Sequence, residues 1–206
     1  MTTTITLPTQ LSQLAYYEST FFDNSEIKKY IKELNKIKFN LDNDSMIEIY
    51  GKKFKIPRKQ VAYGEPGLNY KFSGNKVPAK DWTNIPFLIE IKDKVENYLR
   101  NKKIITTEKI NFVLINLYVD GSNYIGYHRD DEKDLKTGLP IVSVSFGAER
   151  DFLLRNRKKK ETVKVTLKNG SLLVMSWKTN NEWYHSIPKR ANVTKPRFNL
   201  TFRFLN

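Results

Sequence analysis

Residues 197–204 read RFNLTFRF, and their alternation decides the fold class. The even positions are Phe198, Leu200, Phe202 and Phe204, and the odd positions are Arg197, Asn199, Thr201 and Arg203. Successive strand side chains point to opposite faces. One face is therefore apolar throughout and must meet a core. The other carries two guanidinium groups, an amide and a hydroxyl. Pointing to water, that face would be ordinary. Inside a barrel it is an anion-binding wall, because guanidinium pairs bidentately with carboxylate. Upstream, short strand-like runs recur at 110–119, 124–128, 141–147, 151–155, 162–167, 171–177 and 183–187, broken by Gly, Asp, Asn or Lys clusters. Strands at that spacing predict a sandwich or barrel.

The first half reads differently. Residues 12–22 are strand-like and aromatic, and Asp23, Asn24 and Ser25 offer N-cap oxygens. Ile27, Ile31, Leu34 and Ile37 then follow at helical spacing, predicting an amphipathic helix over 26–38. Residues 45–57 suggest two short strands around a turn at Gly51. Residues 58–80, rich in Gly, Pro, Lys and Tyr without a period, read as a loop-rich surface segment. A second helix is predicted over 85–99, with Pro86 in its first turn and Leu88, Ile91, Val95 and Leu99 as its apolar stripe. The basic run RNRKKK at 155–160 lies between two strands, as a hairpin loop or simply a solvated turn.

Composition bounds the partners. The 206-residue chain has 36 Lys+Arg against 22 Asp+Glu, a formal net charge of +14. Residues 1–50 hold five basic and seven acidic side chains, so the surplus lies entirely in residues 51–206. A basic body favours a polyanion, most often nucleic acid. The absence of cysteine excludes a disulfide scaffold, a thiolate zinc site, an iron–sulfur cluster and a cysteine nucleophile. No apolar run approaches the roughly 20 residues that span a bilayer. The start MTTTITLPTQ lacks the basic and apolar regions of a signal peptide. These features predict an intracellular protein, nuclear or cytoplasmic, off the membrane, and a monomer is the default for this size and class.

The chain has two histidines, His128 and His185. In His128-Arg129-Asp130 the imidazole and carboxylate are two apart, on one face of an extended strand. An H-x-D pair also arises by chance. With His185 added, two nitrogens and one oxygen can meet a metal from one side, the facial arrangement of non-haem Fe(II) oxygenases. A dicarboxylate with one end on that metal and the other on Arg197 is the natural guest of the arginine wall. Asn116 and Tyr118, two apart on the strand 110–119, can offer it an amide and a phenol.

These segments together resemble the AlkB family of Fe(II)- and 2-oxoglutarate-dependent dioxygenases, closest to the eukaryotic branch acting on alkylated double-stranded DNA. The resemblance runs from about residue 57 to 206. It is carried by Pro57-Arg58-Lys59-Gln60, Tyr63-Gly64, Asn111-Phe112-Val113-Leu114-Ile115-Asn116, His128-Arg129-Asp130-Asp131-Glu132, Ser143-Val144-Ser145-Phe146-Gly147-Ala148, Trp183-Tyr184-His185-Ser186 and the stretch from Pro196 to Arg203. It implies an α+β fold: a double-stranded β-helix (jelly-roll) core over 109–206, and over 1–108 an extension of outer helices and a nucleotide-recognition lid, the whole one compact unit. His128, Asp130 and His185 would bind Fe(II), with O2 as a further co-substrate. Arg197 would clamp the distal carboxylate of 2-oxoglutarate, and Arg203, Asn116, Tyr118 and Thr201 would hold the rest.

The resemblance also implies a substrate, 1-methyladenine or 3-methylcytosine flipped out of DNA and demethylated with release of formaldehyde and succinate. Asp131 would contact the base, and Tyr70, Lys71 and Phe72 would cover it. Tyr50, before Gly51 and Lys52, stands where the related branch places an aromatic wedge, although the compared member has phenylalanine there. Lys52, Lys53, Lys55, Arg58 and Lys59 would meet phosphates. Three rival readings remain: an RNA or single-strand demethylase, a non-catalytic binder of damaged nucleic acid, and a zinc hydrolase or isomerase on a similar barrel. The last leaves the Arg197–Arg203 wall unexplained.

Overall fold

The computed structural model describes residues 15–40, 46–49, 52–72, 75–156, 158 and 160–206. In chain order the first half gives β1 (Ala15–Glu18), α1 (Asn24–Leu34), β2 (Met46–Ile49), β3 (Lys52–Lys55), β4 (Lys59–Gly64), β5 (Asn69–Phe72), β6 (Asn75–Pro78), β7 (Lys80–Asp81) and α2 (Pro86–Asn101). The second half gives β8 (Phe112–Tyr118), β9 (Ile125–His128), β10 (Ile141–Gly147), β11 (Arg150–Asn156), β12 (Glu161–Leu167), β13 (Ser171–Met175), α3 (Trp177–Glu182), β14 (Tyr184–Ile187) and β15 (Arg197–Arg203).

Two sheets face each other. The larger has the order β1-β13-β10-β15-β8-β4-β7 and the smaller β12-β11-β14-β9. From β8 to β15 the chain passes repeatedly between them, leaving β8, β10, β13 and β15 on one side and β9, β11, β12 and β14 on the other. All pairs among these eight strands are antiparallel. This is the expected α+β jelly roll. No helix among the described residues is long and apolar enough to cross a membrane.

The core follows from the alternation of β15. Phe198, Leu200, Phe202 and Phe204 face α1 and α2, whose stripes include Tyr30, Leu34, Leu88, Ile91, Val95 and Leu99. Asp23 caps α1, its carboxylate accepting from the Ser25 and Glu26 backbone while Glu26 returns a bond to the Asp23 N–H. A second apolar cluster, with Phe112, Leu114, Leu154, Leu173, Met175 and Trp183, fills part of the space between the sheets. The rest of that space is a cleft lined by both polar and apolar side chains.

Two segments depart most from the sequence reading, and the helix predicted over 26–38 ends at Leu34. Residues 58–80 are not loop-rich: β4 is an inner strand of the larger sheet, pairing with β8 from Lys59↔Leu117 to Gly64↔Phe112, and β5 and β6 form a hairpin. Residues 60–64 are all buried, so β4 has no inside–outside period to detect. The segment expected as a strand to 177 ends at Met175, and Ser176 caps α3, its hydroxyl accepting from the Thr179 N–H. Six residues, with Trp177 first and Glu182 last, were too short a run to show helical spacing.

A close approach fixes where β15 begins. Gly147 pairs with Arg197 and has φ +91°, and a Cβ there would lie 2.4 Å from the Pro196 carbonyl oxygen. Glycine is therefore required at the mouth of the arginine wall.

Phe202 is fully buried between the larger sheet and the helices. Phe202→Ala should lower unfolding free energy by about 3–5 kcal/mol. Denaturant unfolding checks this, and a loss under about 1 kcal/mol would mean that the helices do not depend on this face.

Candidate active site

Strands β9 and β14 lie side by side with His128 opposite His185, their ring centroids 4.2 Å apart. Asp130, just beyond β9, turns its Oδ1 to both, 3.6 Å from His128 Nε2 and 4.0 Å from His185 Nε2. One ligand atom from each residue falls within 4.8 Å of the others. His128 Nδ1 lies 2.9 Å from the Gly126 carbonyl. A carbonyl only accepts, so that nitrogen carries the proton and Nε2 keeps its lone pair.

Burial pushes the His128 pKa down, against the pull of Asp130. Burial, helped by His128, pushes His185 down to about 3. Both imidazoles are thus neutral at pH 7, as metal ligands must be. Asp130 behaves oppositely. Burial alone would raise its pKa, but Arg203 and then the two imidazoles hold it well below the usual carboxylate range. Arg203 Nη2 donates to Asp130 Oδ2 at 3.0 Å, leaving Oδ1 to the histidines. Two neutral imidazoles and an ionised carboxylate on one side of a point fit Fe(II) with open positions.

The cleft beside this cluster has a cavity volume of about 90 Å³ and opens to solvent. Asn116, Tyr118, Asn199, Thr201 and Arg203 line it from the larger sheet, and His128, Phe152, His185 and Ile187 from the smaller. Arg197 lies behind Tyr118, its guanidinium 5.2 Å from the ring centre, and is fully buried. Its Nη2 donates to Ser145 Oγ at 3.0 Å. Its Nε and Nη1 are buried without a hydrogen-bond acceptor. Burial lowers its pKa to about 10, partly offset by the Tyr118 phenol, so it remains a cation at pH 7. Buried donors left unpaired cost about 1–3 kcal/mol each, more when charged. A guest carboxylate removes that cost, so the residues fit 2-oxoglutarate.

Arg58 is a correction to the sequence reading. Its Nε donates to Asn116 Oδ1 at 2.9 Å and it lines the cleft, rather than standing free to meet phosphate. Gln60, which the reading left without a role, donates to the same oxygen at 2.8 Å. Both escape sequence reasoning because β4 has no inside–outside alternation. Asp131 has a side chain 73% exposed and does not line the cleft, whereas its neighbour Glu132 does. Tyr70, Lys71 and Phe72 lie on β5, and Lys52 begins β3, but their side chains fall outside the described residues. So do Tyr50 and Gly51 altogether.

A sequence profile of the 2OG-Fe(II) oxygenase superfamily matches residues 14–203. The chain belongs to that superfamily, in its AlkB branch. It is therefore a dioxygenase that uses Fe(II), 2-oxoglutarate and O2. It is 42% identical to the DNA oxidative demethylase ALKBH2 of Bos taurus over 191 residues, 88% of this chain and 66% of that protein. It is 41% identical to the mouse (Mus musculus) ALKBH2 over 194 residues, 90% of this chain and 77% of that protein. The solved structure of OsALKBH1 shares the fold, with TM-score 0.58 and 21% identity, covering 92% of this chain and 97% of that one.

Asp130→Ala should abolish Co(II) binding, used as a stand-in for Fe(II), and should lower the stability of the metal-free protein by about 3–5 kcal/mol, because Arg203 is left buried without its carboxylate. Calorimetry and denaturant unfolding read the two effects. Retained Co(II) affinity would remove Asp130 from the metal site.

Proposed function

We propose that this protein repairs DNA by oxidative demethylation of N-alkylated bases, with 1-methyladenine and 3-methylcytosine as the preferred lesions. The observation that carries the reading is the His128–Asp130–His185 cluster in one cleft with the unpaired donors of Arg197 behind it. The similarity to ALKBH2 proteins supports the DNA substrate.

When bound, Fe(II) with 2-oxoglutarate and O2 supplies oxidation of the N-methyl carbon, whose hydroxylated product sheds formaldehyde. The chain's own residues do the rest. Asp130 would balance the metal's charge, its Oδ1 turned to the histidines while Arg203 holds Oδ2. Arg197 receives the distal carboxylate, and Asn116, Tyr118, Thr201 and Arg203 fix the co-substrate's register in the cleft. Ile125, Phe152, Leu173 and Met175 line the cleft with apolar surface and limit water there.

A methylated Watson–Crick edge pairs poorly, which lowers the cost of extruding the base. The alkylated base is cationic, so Asp131 at the surface and Glu132 in the cleft favour it over the normal base. Duplex DNA is the proposed form, with Tyr50 as the wedge filling the gap and Gly51 and Lys52 beside it. Tyr70, Lys71 and Phe72 cover the flipped base. The formal charge of +14 supports a polyanionic partner. We place the protein inside the cell as a monomer.

The test is a duplex oligonucleotide with one 3-methylcytosine, followed by mass. Loss of the methyl group should require Fe(II), 2-oxoglutarate and O2 together. Succinate formation without demethylation would keep the oxygenase and discard this substrate. Arg197→Ala should raise the 2-oxoglutarate requirement roughly 10–100-fold, the loss of hydrogen bonds from a charged donor. An unchanged requirement removes Arg197 from the clamp. Tyr50→Ala should reduce duplex repair more than single-strand repair, and equal losses would count against the wedge and favour the single-strand or RNA reading.

A further inference from the structure

Asn180 lies on α3, three residues after its first residue, and is buried to 1% exposure. Its side-chain amide meets the backbone of Asp130 twice. The Asp130 N–H donates to Asn180 Oδ1 at 3.1 Å, and Asn180 Nδ2 donates to the Asp130 carbonyl at 2.5 Å. The orientation of the amide is forced, because a backbone N–H needs an acceptor and a carbonyl needs a donor. Asp130 lies past the end of β9, where no strand neighbour among the described residues holds its backbone. The amide takes the place of that missing neighbour.

We infer that Asn180 is a positioning residue for the metal centre, setting the backbone of Asp130 so that its carboxylate meets both imidazoles. The inference rests on reading His128, Asp130 and His185 as the Fe(II) site. α3 is itself fixed. Its first turn is closed by Ser176, whose hydroxyl accepts from the Thr179 N–H at 3.1 Å and whose carbonyl accepts from the Asn180 N–H at 3.0 Å. Arg129, between His128 and Asp130, donates to the Asn181 carbonyl at 2.8 Å. The helix leads through Trp183 directly into β14 and His185. The two ligand-bearing segments are thus tied through one short helix as well as through the β9–β14 pairing, and Asn180 is the joint that touches a ligand's own backbone.

The test compares wild type, Asn180→Ala, Asn180→Asp and Ser176→Ala as metal-free full-length proteins titrated with Co(II), reading affinity by calorimetry and ligand geometry by visible absorption. Asn180→Asp keeps the acceptor and loses the donor, and Asn180→Ala loses both. Each should weaken Co(II) binding roughly 10–100-fold, the range for residues that orient ligands, and should change the absorption band. Ser176→Ala uncaps α3 without touching Asp130, so it should lower the melting temperature with a smaller change in affinity. Wild-type affinity and spectrum in folded Asn180→Ala or Asn180→Asp protein would overturn the inference. So would losses in Ser176→Ala equal to theirs, which would mark α3 as merely structural. If neither Asn180 variant folds, amide hydrogen exchange in wild type decides: Zn(II) should slow exchange of the Asn180 side chain together with the Asp130 N–H, and an unchanged Asn180 side chain overturns the inference. Absence of Co(II) binding in wild type would instead defeat the metal assignment on which it rests.

Discussion

A carboxylate buried between two sheets stays ionised only if cations or strong donors stand beside it. Asp130 is 5% exposed, and Arg203 meets it at 3.0 Å from the neighbouring sheet. This pair sets the terms for the rest of the site. Removing a buried charge from water costs several kcal/mol per ion, and the attraction between the two repays it only with good geometry. That geometry requires the end of β9 to lie opposite the end of β15, which the jelly roll provides by alternating the chain between sheets. The same carboxylate then has one oxygen left for the histidines. The ion pair therefore holds the site's charge in place before any metal arrives.

Work is divided between the two faces of the larger sheet. The outer face carries apolar side chains against α1 and α2 and needs nothing from the site. The inner face carries a polar row in register: Gln60 opposite Asn116, Asn116 opposite Asn199, and Asn199 opposite Ser145. Such a row is costly to bury unless its members satisfy one another. Asn199 does so through Ser143 Oγ and the Val144 carbonyl. Arg197 donates to Ser145 Oγ through Nη2, while its Nε and Nη1 are buried without an acceptor.

The alternation in RFNLTFRF was legible because β15 has one apolar and one polar face, and it placed both arginines on the inner wall. The separation of His128 and Asp130 by two residues was legible for the same reason, although Asp130 lies past the strand end and is held there by contacts that no spacing shows. β4 was not legible, because its residues from Gln60 to Gly64 are buried whichever way they point. With it went Arg58 and Gln60, which act on a site more than fifty positions downstream. Asn180 was hidden for another reason: an asparagine in a short polar run looks like a turn residue, and only the fold brings it to Asp130.

The amide of Asn116 shows what the first half of the chain contributes. Its oxygen accepts from Arg58 at 2.9 Å and from Gln60 at 2.8 Å, both from β4 or the residue before it. An amide whose oxygen is doubly committed in this way has only its N–H groups left to offer. β4 thereby converts a side chain that could accept or donate into a donor, which is the polarity a carboxylate guest requires. The strand that does this arrives before α2, some fifty residues ahead of β8, and reaches the site by pairing with β8 from Phe112 to Leu117. The residues before position 108 thus shape the chemistry of the cleft from within its wall, independently of anything they cover from above.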